Sequence, residues 1–274
     1  MPHAALQEGN SAVITGGADG IGYAAAQHFL NLGMRVLIAD IDSDRLAQCA
    51  DEHPGLLTSQ CDVSSLDAVE ALKDQAYGAF GEVHVLMNNA GTARPCSTTE
   101  GYQSWRETLE INLWGVINGI QAFVPAMLAQ NTPGLVVNTG SKQGITSPPG
   151  NPAYNVSKAA IKSVTESLQH DLRNLPDCQL SAHLLVPGFT YTGMIRQFLP
   201  EKPEGAWMPS QVVEYLCDAI ERGDFYVICP DNDVSREVDN KRMLWAMQDI
   251  TENRPPLSRW HPDYEAAFAA YMSD

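Results

Sequence analysis

The chain has 274 residues, of which 44% are hydrophobic, and its 33 acidic and 17 basic side chains give a formal net charge of −16. This acidity argues against general affinity for nucleic acid or for an anionic membrane, so neither is expected as a partner. Length and composition favour one globular domain, residues 1–274, with a sizeable core and no low-complexity linker.

Cysteine use and the lack of targeting patterns predict a cytoplasmic protein. The six cysteines are scattered without a Cys-x-x-Cys pair, as is typical of reduced thiols. The first ten residues have neither the basic region nor the apolar run of a secretion signal, and no stretch approaches the ~20 apolar residues of a membrane span. The seven histidines show no paired metal spacing, so we expect no catalytic metal.

A glycine-rich turn follows the first predicted strand, Ser11–Thr15, and leads into an alanine-rich helix at 23–32. Glycines at such a turn let a phosphate approach the backbone, and the free N–H groups at the start of the helix attract it. The order of strand, turn and helix therefore predicts a dinucleotide cradle. Its spacing, Gly-x-x-x-Gly-x-Gly, differs from the standard Gly-x-Gly-x-x-Gly and is formed by Gly16, Gly20 and Gly22.

The second predicted strand, at 35–39, ends in Asp40, which lies 18 residues beyond Gly22. A carboxylate near this offset accepts hydrogen bonds from the adenosine ribose, and its charge repels a 2′-phosphate. Asp19 in the glycine-rich turn adds to the repulsion, and Arg35 stands at the opposite end of the strand. The pattern favours NAD over NADP. The alternative is that Asp40 only caps the turn that follows.

Strands and helices continue to alternate along the chain, which predicts a parallel, doubly wound sheet. The carboxyl ends of its strands meet at one edge, where ligands bind. Asp62 and Val63 follow the third strand and the run from Asn88 to Gly91 follows the fourth, although both stretches also suit simple turns. The predicted elements are helices at 43–52 and 65–80 and strands at 56–61 and 83–87.

A long helical pattern at 103–129 contains Asn112, and a fifth strand ends just before Ser141. Tyr154 and Lys158 are four residues apart in the next predicted helix, so their side chains share one face. Two unit charges ~4 Å apart interact by about 4 kcal/mol at an effective dielectric near 20, which corresponds to roughly 3 pKa units. Lys158 is therefore expected to lower the pKa of Tyr154, less the cost of burying a phenolate.

Taken together, these motifs resemble the short-chain dehydrogenase/reductase family in its smaller, single-domain branch. The resemblance covers residues 11–192, and it implies a Rossmann-type doubly wound parallel sheet of about seven strands with helices on both faces. Strands at Leu180–Val186 and 225–229 would complete that sheet. The motifs are Thr15-Gly16-x-x-x-Gly20-Ile21-Gly22, Asp62-Val63, Asn88-Asn89-Ala90-Gly91, Asn112, Ser141, Tyr154-x-x-x-Lys158 and Pro187-Gly188.

The resemblance also implies the roles of four catalytic residues. Tyr154 would remove the alcohol proton in oxidation and donate it in reduction, with a pKa lowered by Lys158 and by the positive nicotinamide ring. Lys158 would also bind the nicotinamide ribose. Ser141 would hold the substrate oxygen, and Asn112 would hold a water that links Lys158 to solvent.

The resemblance also implies contacts to the cofactor, expected to be NAD, from the ends of several strands. The glycine-rich turn would hold the pyrophosphate and Asp40 the ribose, while later segments would hold the adenine and the nicotinamide. Thr190 is an alternative to Thr192. The implied cofactor-binding residues are Gly16, Gly20, Ile21, Gly22, Asp40, Asp62, Val63, Asn89, Ala90, Gly91, Tyr154, Lys158, Pro187, Gly188 and Thr192.

Residues 189–210 are predicted to form a mobile substrate flap, because prolines and a glycine interrupt regular structure among large apolar side chains. This apolar wall favours a bulky apolar or aromatic secondary alcohol, or its ketone, as the small-molecule substrate. Simple packing of the flap is the alternative. Lys142 and Arg94 are candidate anion ligands but are expected to be solvated surface cations. The candidate substrate-binding residues are Ser141, Gln143, Tyr154, Phe189 and Tyr191.

The C-terminal extension, residues 231–274, is predicted to serve packing or oligomer contacts through a helix within 234–250, an extended segment at 254–262 and a short helix at 263–272. The family often associates through its two long helices, so a homodimer or homotetramer is expected. The leading function is that of an NAD-dependent alcohol dehydrogenase or ketone reductase. Two alternatives stay open: an NADPH-dependent ketoreductase, and a dinucleotide-binding regulator without catalysis.

Overall fold

The computed structural model describes residues 3–273, which are built around one parallel sheet. Its strands are β1 (Ser11–Thr15), β2 (Arg35–Asp40), β3 (Leu57–Gln60), β4 (Val85–Asn88), β5 (Gly134–Thr139), β6 (Leu180–Val186) and β7 (Tyr226–Ile228). They pair in the order β3-β2-β1-β4-β5-β6-β7, all parallel. The doubly wound sheet of seven strands predicted from the sequence is confirmed, and its order changes direction between β1 and β4, where such folds bind ligands.

Helices cover both faces of this sheet. They are α1 (Gly20–Asn31), α2 (Ser43–Glu52), α3 (Leu66–Phe80), α4 (Tyr102–Leu109), α5 (Gly115–Gln130), α6 (Gln143–Thr146), α7 (Pro152–Asn174), α8 (Gly193–Arg196), α9 (Pro209–Arg222), α10 (Arg236–Thr251) and α11 (Glu265–Ser273). One face buries Phe29 of α1 and Leu216 of α9, and the other buries Leu72 of α3, Phe123 of α5 and Ile161 of α7. The central strands are therefore apolar on both sides, as parallel sheets require.

Capping side chains fix where several helices begin. The Asp42 carboxylate accepts hydrogen bonds from the backbone N–H groups of Asp44 and Arg45 at 3.1 and 3.0 Å, and α2 has its predicted bounds. Asp19 accepts from the N–H of Gly20 at 2.7 Å, so α1 begins three residues earlier than the alanine-rich pattern indicates. The glycine-rich turn thus ends directly at a helix start.

The long helix predicted at 103–129 is interrupted by a π-helical turn at Glu110–Trp114, which lies between α4 and α5. The N–H of Gly115 donates to the carbonyl of Glu110, five residues earlier. Asn112 is fully buried in this turn. A π turn of this kind is frequent at functional sites, and here it faces the helix that carries Tyr154.

The helical stretch Tyr102–Gln130 is long and apolar enough to cross a bilayer, contrary to the sequence expectation that no such stretch exists. Half of its apolar window is buried inside the fold, and the stretch packs against α3 and α7. A core helix of this composition passes the same length and hydropathy test.

The C-terminal extension departs from the extended segment predicted at 254–262, because Ser258–Trp260 and Pro262–Tyr264 form 3-10 turns. The indole N–H of Trp245 on α10 donates to the Ser258 hydroxyl at 2.8 Å, and the Arg254 guanidinium lies 4.1 Å from the centre of the indole. Phe268 of α11 packs on the same ring. The extension thus folds on itself, and α10 contacts α6 next to the strand edge.

Candidate active site

Asn89 ties together the ends of three strands at one edge of the sheet. Its amide nitrogen donates to the Gly16 carbonyl at 3.1 Å, and its side-chain oxygen accepts from the Thr139 hydroxyl at 3.2 Å. The Thr15 hydroxyl accepts from the backbone N–H of Asn89 at 3.0 Å. The turns after β1, β4 and β5 are therefore held at fixed distances from one another.

The glycine-rich turn has no room for side chains. A methyl group at Gly22 would lie 2.2 Å from the Gly16 carbonyl oxygen, and one at Gly16 would lie 2.7 Å from the Ala90 Cα. Gly16 and Gly20 also have φ values of +61° and +57°, which favour glycine. Gly16, Gly20 and Ile21 line the cleft, and the turn ends directly at the start of α1, where helix N–H groups favour a phosphate. This geometry fits a pyrophosphate group.

Asp40 stands at the end of β2 and lines the same cleft. Its two carboxylate oxygens accept backbone hydrogen bonds from Ala18 at 3.1 Å and Asp42 at 3.2 Å. The side chain thus supports the neighbouring turns, as the capping alternative proposed, and each oxygen keeps a lone pair for a ribose hydroxyl.

Arg45 also lines the cleft, although it is not among the site residues predicted from the sequence. Its guanidinium donates to the Ala18 carbonyl at 3.3 Å and lies 3.9 Å from the Asp19 carboxylate. Its place in the first turn of α2, five residues after Asp40, was the available signal. The adenosine end of the cleft therefore contains a cation as well as carboxylates.

Lys158 and Asn112 are both buried and hydrogen-bonded to the protein. The Lys158 ammonium donates to the Thr139 carbonyl at 2.7 Å. The Asn112 oxygen accepts from the N–H of Thr92 at 2.7 Å, and its amide nitrogen donates to the Thr92 carbonyl at 2.9 Å and to the Ser157 hydroxyl at 3.0 Å. The π turn is thereby fastened to the segment after β4 and to α7.

The pKa of Tyr154 does not follow the sequence prediction. Burial raises the pKa of its phenol, and only a hydrogen bond with Ser141 opposes this. The Lys158 ammonium lies 5.6 Å from the centre of the phenol ring, and burial lowers its own pKa to about 8. The prediction assumed a cation ~4 Å from the oxygen, whereas this cation is bonded to the Thr139 carbonyl.

One cleft of about 1430 Å³ brings most of the predicted site residues together. Three of the predicted residues do not line it: Gly22 and Asn112 lie behind its wall, packed on Gly16 and Thr92, and the Tyr191 hydroxyl donates to the Pro200 carbonyl. The predicted residues that do line it are Gly16, Gly20, Ile21, Asp40, Asp62, Val63, Asn89, Ala90, Gly91, Ser141, Gln143, Tyr154, Lys158, Pro187, Gly188, Phe189 and Thr192.

The predicted flap, residues 189–210, lies over this cleft and contains α8. The Arg196 guanidinium donates to the Asp19 carboxylate at 2.6 Å, which joins the flap to the glycine-rich turn. Phe189, Met194 and Phe198 give the cleft an apolar wall. Ile195 lines the cleft as well, whereas Trp207 packs against the hydrophobic core, so some apolar side chains of the flap face the cleft and others serve packing.

The two candidate anion ligands have different surroundings. Arg94 forms a surface pair with Glu107, as a solvated cation would. Lys142 does not: its ammonium lies 2.6 Å from Asp239 and 3.3 Å from Asp231, two carboxylates with nearly buried side chains. The expectation that Lys142 is a solvated surface cation is therefore wrong, because the C-terminal extension covers it.

The comparisons with known proteins agree with this geometry. Residues 10–203 match the family model described as short chain dehydrogenase. The 1-deoxy-11-beta-hydroxypentalenate dehydrogenase of Streptomyces exfoliatus is 28% identical over 264 residues, which cover 91% of this chain and 94% of that protein. The CLA biosynthesis dehydrogenase/reductase of Lactiplantibacillus plantarum is 31% identical over 186 residues, covering 66% of this chain. Other matches are partial: the chain spans only 61% to 65% of the length of some curated relatives, the Lactiplantibacillus plantarum enzyme among them.

Among solved structures, a short chain dehydrogenase/reductase from Burkholderia phymatum in complex with NAD superposes with a TM-score of 0.82. The two chains are 32% identical, and the match covers 91% of this chain and 96% of that one. The sheet, its flanking helices and the strand edge that carries the cleft are therefore features of a known fold.

Proposed function

This chain belongs to the short-chain dehydrogenase/reductase family, and on that premise we propose that it transfers a hydride between NAD(H) and a secondary alcohol or ketone. One observation carries the proposal. Ser141, Tyr154 and Lys158 line the same cleft as the glycine-rich turn and Asp40. The residues that would transfer a proton and the turn that would bind a dinucleotide thus line the same cleft.

Tyr154 is the proposed acid and base. It removes the hydroxyl proton of an alcohol in oxidation and returns that proton to the carbonyl oxygen in reduction. NAD, when bound, supplies the acceptor for the hydride. Ser141 holds the substrate oxygen and stabilises the deprotonated phenol through its hydrogen bond with Tyr154. Burial raises the pKa of this phenol, so its neutral, proton-donating form predominates at neutral pH.

Lys158 and Asn112 support this chemistry in different ways. With a pKa lowered to about 8, Lys158 exchanges its proton near neutral pH and can pass it along the cleft. Asn112 is a positioning residue: its amide bonds the Ser157 hydroxyl, which in turn donates to the Tyr154 carbonyl at 2.8 Å. The water that Asn112 was predicted to hold remains a prediction.

The preference for NAD rests on Asp40, whose carboxylate has lone pairs for ribose hydroxyls and repels a 2′-phosphate. The related structure from Burkholderia phymatum contains NAD. Arg45 supports the second candidate, an NADPH-dependent ketoreductase, because its guanidinium lines the same end of the cleft. Measuring kcat/KM with both cofactors separates the two.

A bulky apolar or aromatic secondary alcohol is the proposed substrate class, since Phe189, Met194 and Phe198 contribute an apolar wall to the cleft that holds the catalytic residues. The related Streptomyces enzyme is named for a hydroxylated compound, 1-deoxy-11-beta-hydroxypentalenate. A panel in which short polar alcohols react best would contradict this substrate class.

The central experiment is a panel of secondary alcohols with NAD, in which turnover is read as NADH absorbance. Tyr154→Phe should lower turnover by about 10²-fold to 10⁴-fold, the usual contribution of a positioned acid or base. Tyr264→Phe, a matched change outside the cleft, should leave it within about twofold. Equal turnover in Tyr154→Phe would refute the mechanism and favour a regulator that binds dinucleotide without catalysis.

We also propose that the protein is a cytoplasmic homodimer or homotetramer. Exposed apolar side chains lie on the long helices, including Tyr102, Trp114 and Val156, and such residues suit an interface between copies. Light scattering should give a multiple of about 30 kDa, and a monomeric mass would count against this proposal. Cell fractionation tests the compartment.

A further inference from the structure

A second cavity of about 290 Å³ adjoins the catalytic cleft, and Lys142 and Gln143 line both. Its other walls come from α6, from α10 and from the 3-10 turn Ser258–Trp260. Ser141 immediately precedes the two shared residues in the chain. The two spaces therefore adjoin across Lys142 and Gln143, next to Ser141 and at the opposite end of the cleft from Asp40.

Two arginines give this cavity an excess of positive charge. Arg242 of α10 and Arg259 of the 3-10 turn line it, together with Lys142 and Asp239. Within residues 3–273, neither guanidinium forms a salt bridge or a side-chain hydrogen bond, and the Arg242 Nε is buried without a partner. A buried donor of this kind is costly unless something accepts its hydrogen bond.

The carboxylates close to these arginines are paired with Lys142 and do not cancel both guanidinium charges, because the three cations Lys142, Arg242 and Arg259 outnumber Asp231 and Asp239 by one. Asp239 and Asp231 share the Lys142 ammonium at 2.6 and 3.3 Å. Burial lowers the pKa of Arg259, and repulsion by the charge of Arg242 lowers it further, while Asp239 opposes this shift. An anion placed between them would relieve that repulsion and satisfy the free donors.

The remaining walls are apolar, and Ile145, Ile228, Met243 and Trp260 contribute to them. An engineered apolar cavity of about 150 Å³ binds benzene, so a cavity of 290 Å³ has room for an aromatic ring together with a carboxylate. The ligand that matches these walls has an apolar or aromatic body and an anionic end. A fully apolar ligand would leave the arginine donors unsatisfied.

We propose that this cavity binds the distal carboxylate of the substrate, with Arg242 and Arg259 as its ligands, so that the preferred substrates are apolar or aromatic secondary alcohols that carry a carboxylate. This inference rests on the proposed function and narrows its substrate class. The carbinol remains beside Ser141 and Tyr154, and the carboxylate reaches past Gln143 into the second cavity.

The test uses 4-(1-hydroxyethyl)benzoate, the corresponding phenylacetate and phenylpropanoate, and the methyl ester of each. The wild-type enzyme with NAD should show kcat/KM at least 10-fold higher for the best acid than for its ester. Arg242→Gln or Arg259→Gln should reduce that ratio by about 10-fold to 100-fold, the factor expected for hydrogen bonds between charged groups. Arg242→Lys, which keeps the charge, should retain part of the preference.

Two controls separate this inference from the proposed function. If the wild-type enzyme turns over the esters and Tyr154→Phe does not, the proposed hydride transfer is supported, whatever the kcat/KM values for the acids. Arg222→Gln removes a surface cation paired with Asp224, and it should leave the ratio of acid to ester unchanged. Equal kcat/KM for acids and esters in the wild type, or equal effects of the arginine changes on both, would overturn the inference.

Binding of benzoate, followed by calorimetry, adds a readout that does not depend on turnover. Wild-type protein should bind benzoate and not benzamide, and Arg242→Gln should weaken the benzoate complex about 10-fold or more. Benzoate binding that persists unchanged in both arginine variants would overturn the site. Melting temperatures of all variants show whether each one is folded.

Discussion

Replacing Asp40 with asparagine tests how the cleft distinguishes NAD from NADP. Asparagine keeps the shape of the side chain and one oxygen acceptor, so a backbone donor, Ala18 or Asp42, keeps its partner. The substitution removes one negative charge from this end of the cleft, where Arg45 and two other carboxylates, Asp19 and Asp42, remain. NAD binding should therefore weaken while NADP binding improves.

The size of both effects follows from ordinary electrostatics. A hydrogen bond to a charged group contributes about 1 kcal/mol more than a neutral one, so two ribose hydroxyls lose about 2 kcal/mol, or roughly 30-fold in affinity for NAD. Removing a charge ~5 Å from a 2′-phosphate lowers the repulsion by about 1 to 3 kcal/mol for effective dielectrics between 80 and 20. The ratio of NAD to NADP affinity should fall by at least about 100-fold.

The assay is a fluorescence titration of each variant with NAD and with NADP, checked by kcat/KM on one alcohol. Asp42→Asn is the matched control, because the Asp42 carboxylate serves the backbone N–H groups at the start of α2. It should change the ratio by less than about threefold. An unchanged ratio in Asp40→Asn, or an equal change in both variants, would refute the assignment of Asp40 to the ribose.

Three further predictions concern the turn, the fold and the catalytic phenol. Gly22→Ala should reduce dinucleotide affinity and destabilise the fold by about 1–3 kcal/mol in chemical denaturation, because the new methyl would lie 2.2 Å from the Gly16 carbonyl oxygen. Gly78→Ala, at a helical position with open space, should instead stabilise the fold by about 0.5–1 kcal/mol. Equal stability changes in the two variants would contradict the close contact at Gly22. Burial lowers the pKa of His183, so the unfolded chain binds the proton more readily than the folded chain does. The free energy of unfolding should therefore fall as pH drops below about 6.5, by at most about 1.4 kcal/mol per pH unit. His183→Gln should reduce this slope in urea titrations at pH 5 to 7, and an unchanged slope would count against a role for His183. Because burial raises the pKa of Tyr154 above its ordinary value near 10, kcat/KM for oxidation should rise from pH 7 to 10, while kcat/KM for reduction should stay flat over that range and decline only at higher pH. An oxidation profile that does not rise with pH would exclude the phenol as the base.

Local sequence patterns determined the architecture and the strand-edge site. Alternating apolar strands and helices fix the parallel sheet, because neither element can bury its apolar face alone. Asp40 and Asn89 follow strands directly, so the sheet brings them to one edge whatever the details of packing. The spacing between Tyr154 and Lys158 likewise places them on one helix face.

Only the tertiary structure decided which groups neutralise one another. Lys142 forms salt bridges with Asp231 and Asp239, about ninety residues away in the chain. The residue predicted to be a solvated surface cation is therefore a paired residue in the wall between the two cavities. The pKa of Tyr154 depends on how deeply α7 is buried and on the bond that Lys158 makes to the Thr139 carbonyl. Neither can be read from spacing along one helix.

The second cavity likewise depends on tertiary contacts that local sequence patterns do not predict. Arg242 and Arg259 belong to the C-terminal extension, whose sequence predicts only a helix and an extended segment. Their meeting beside α6 depends on the way Trp245, Ser258 and Arg254 fold that extension back on itself. The spacing of apolar residues along the chain indicates which segments form helices and strands, whereas the charges that share a cavity are set by contacts between segments far apart in the chain.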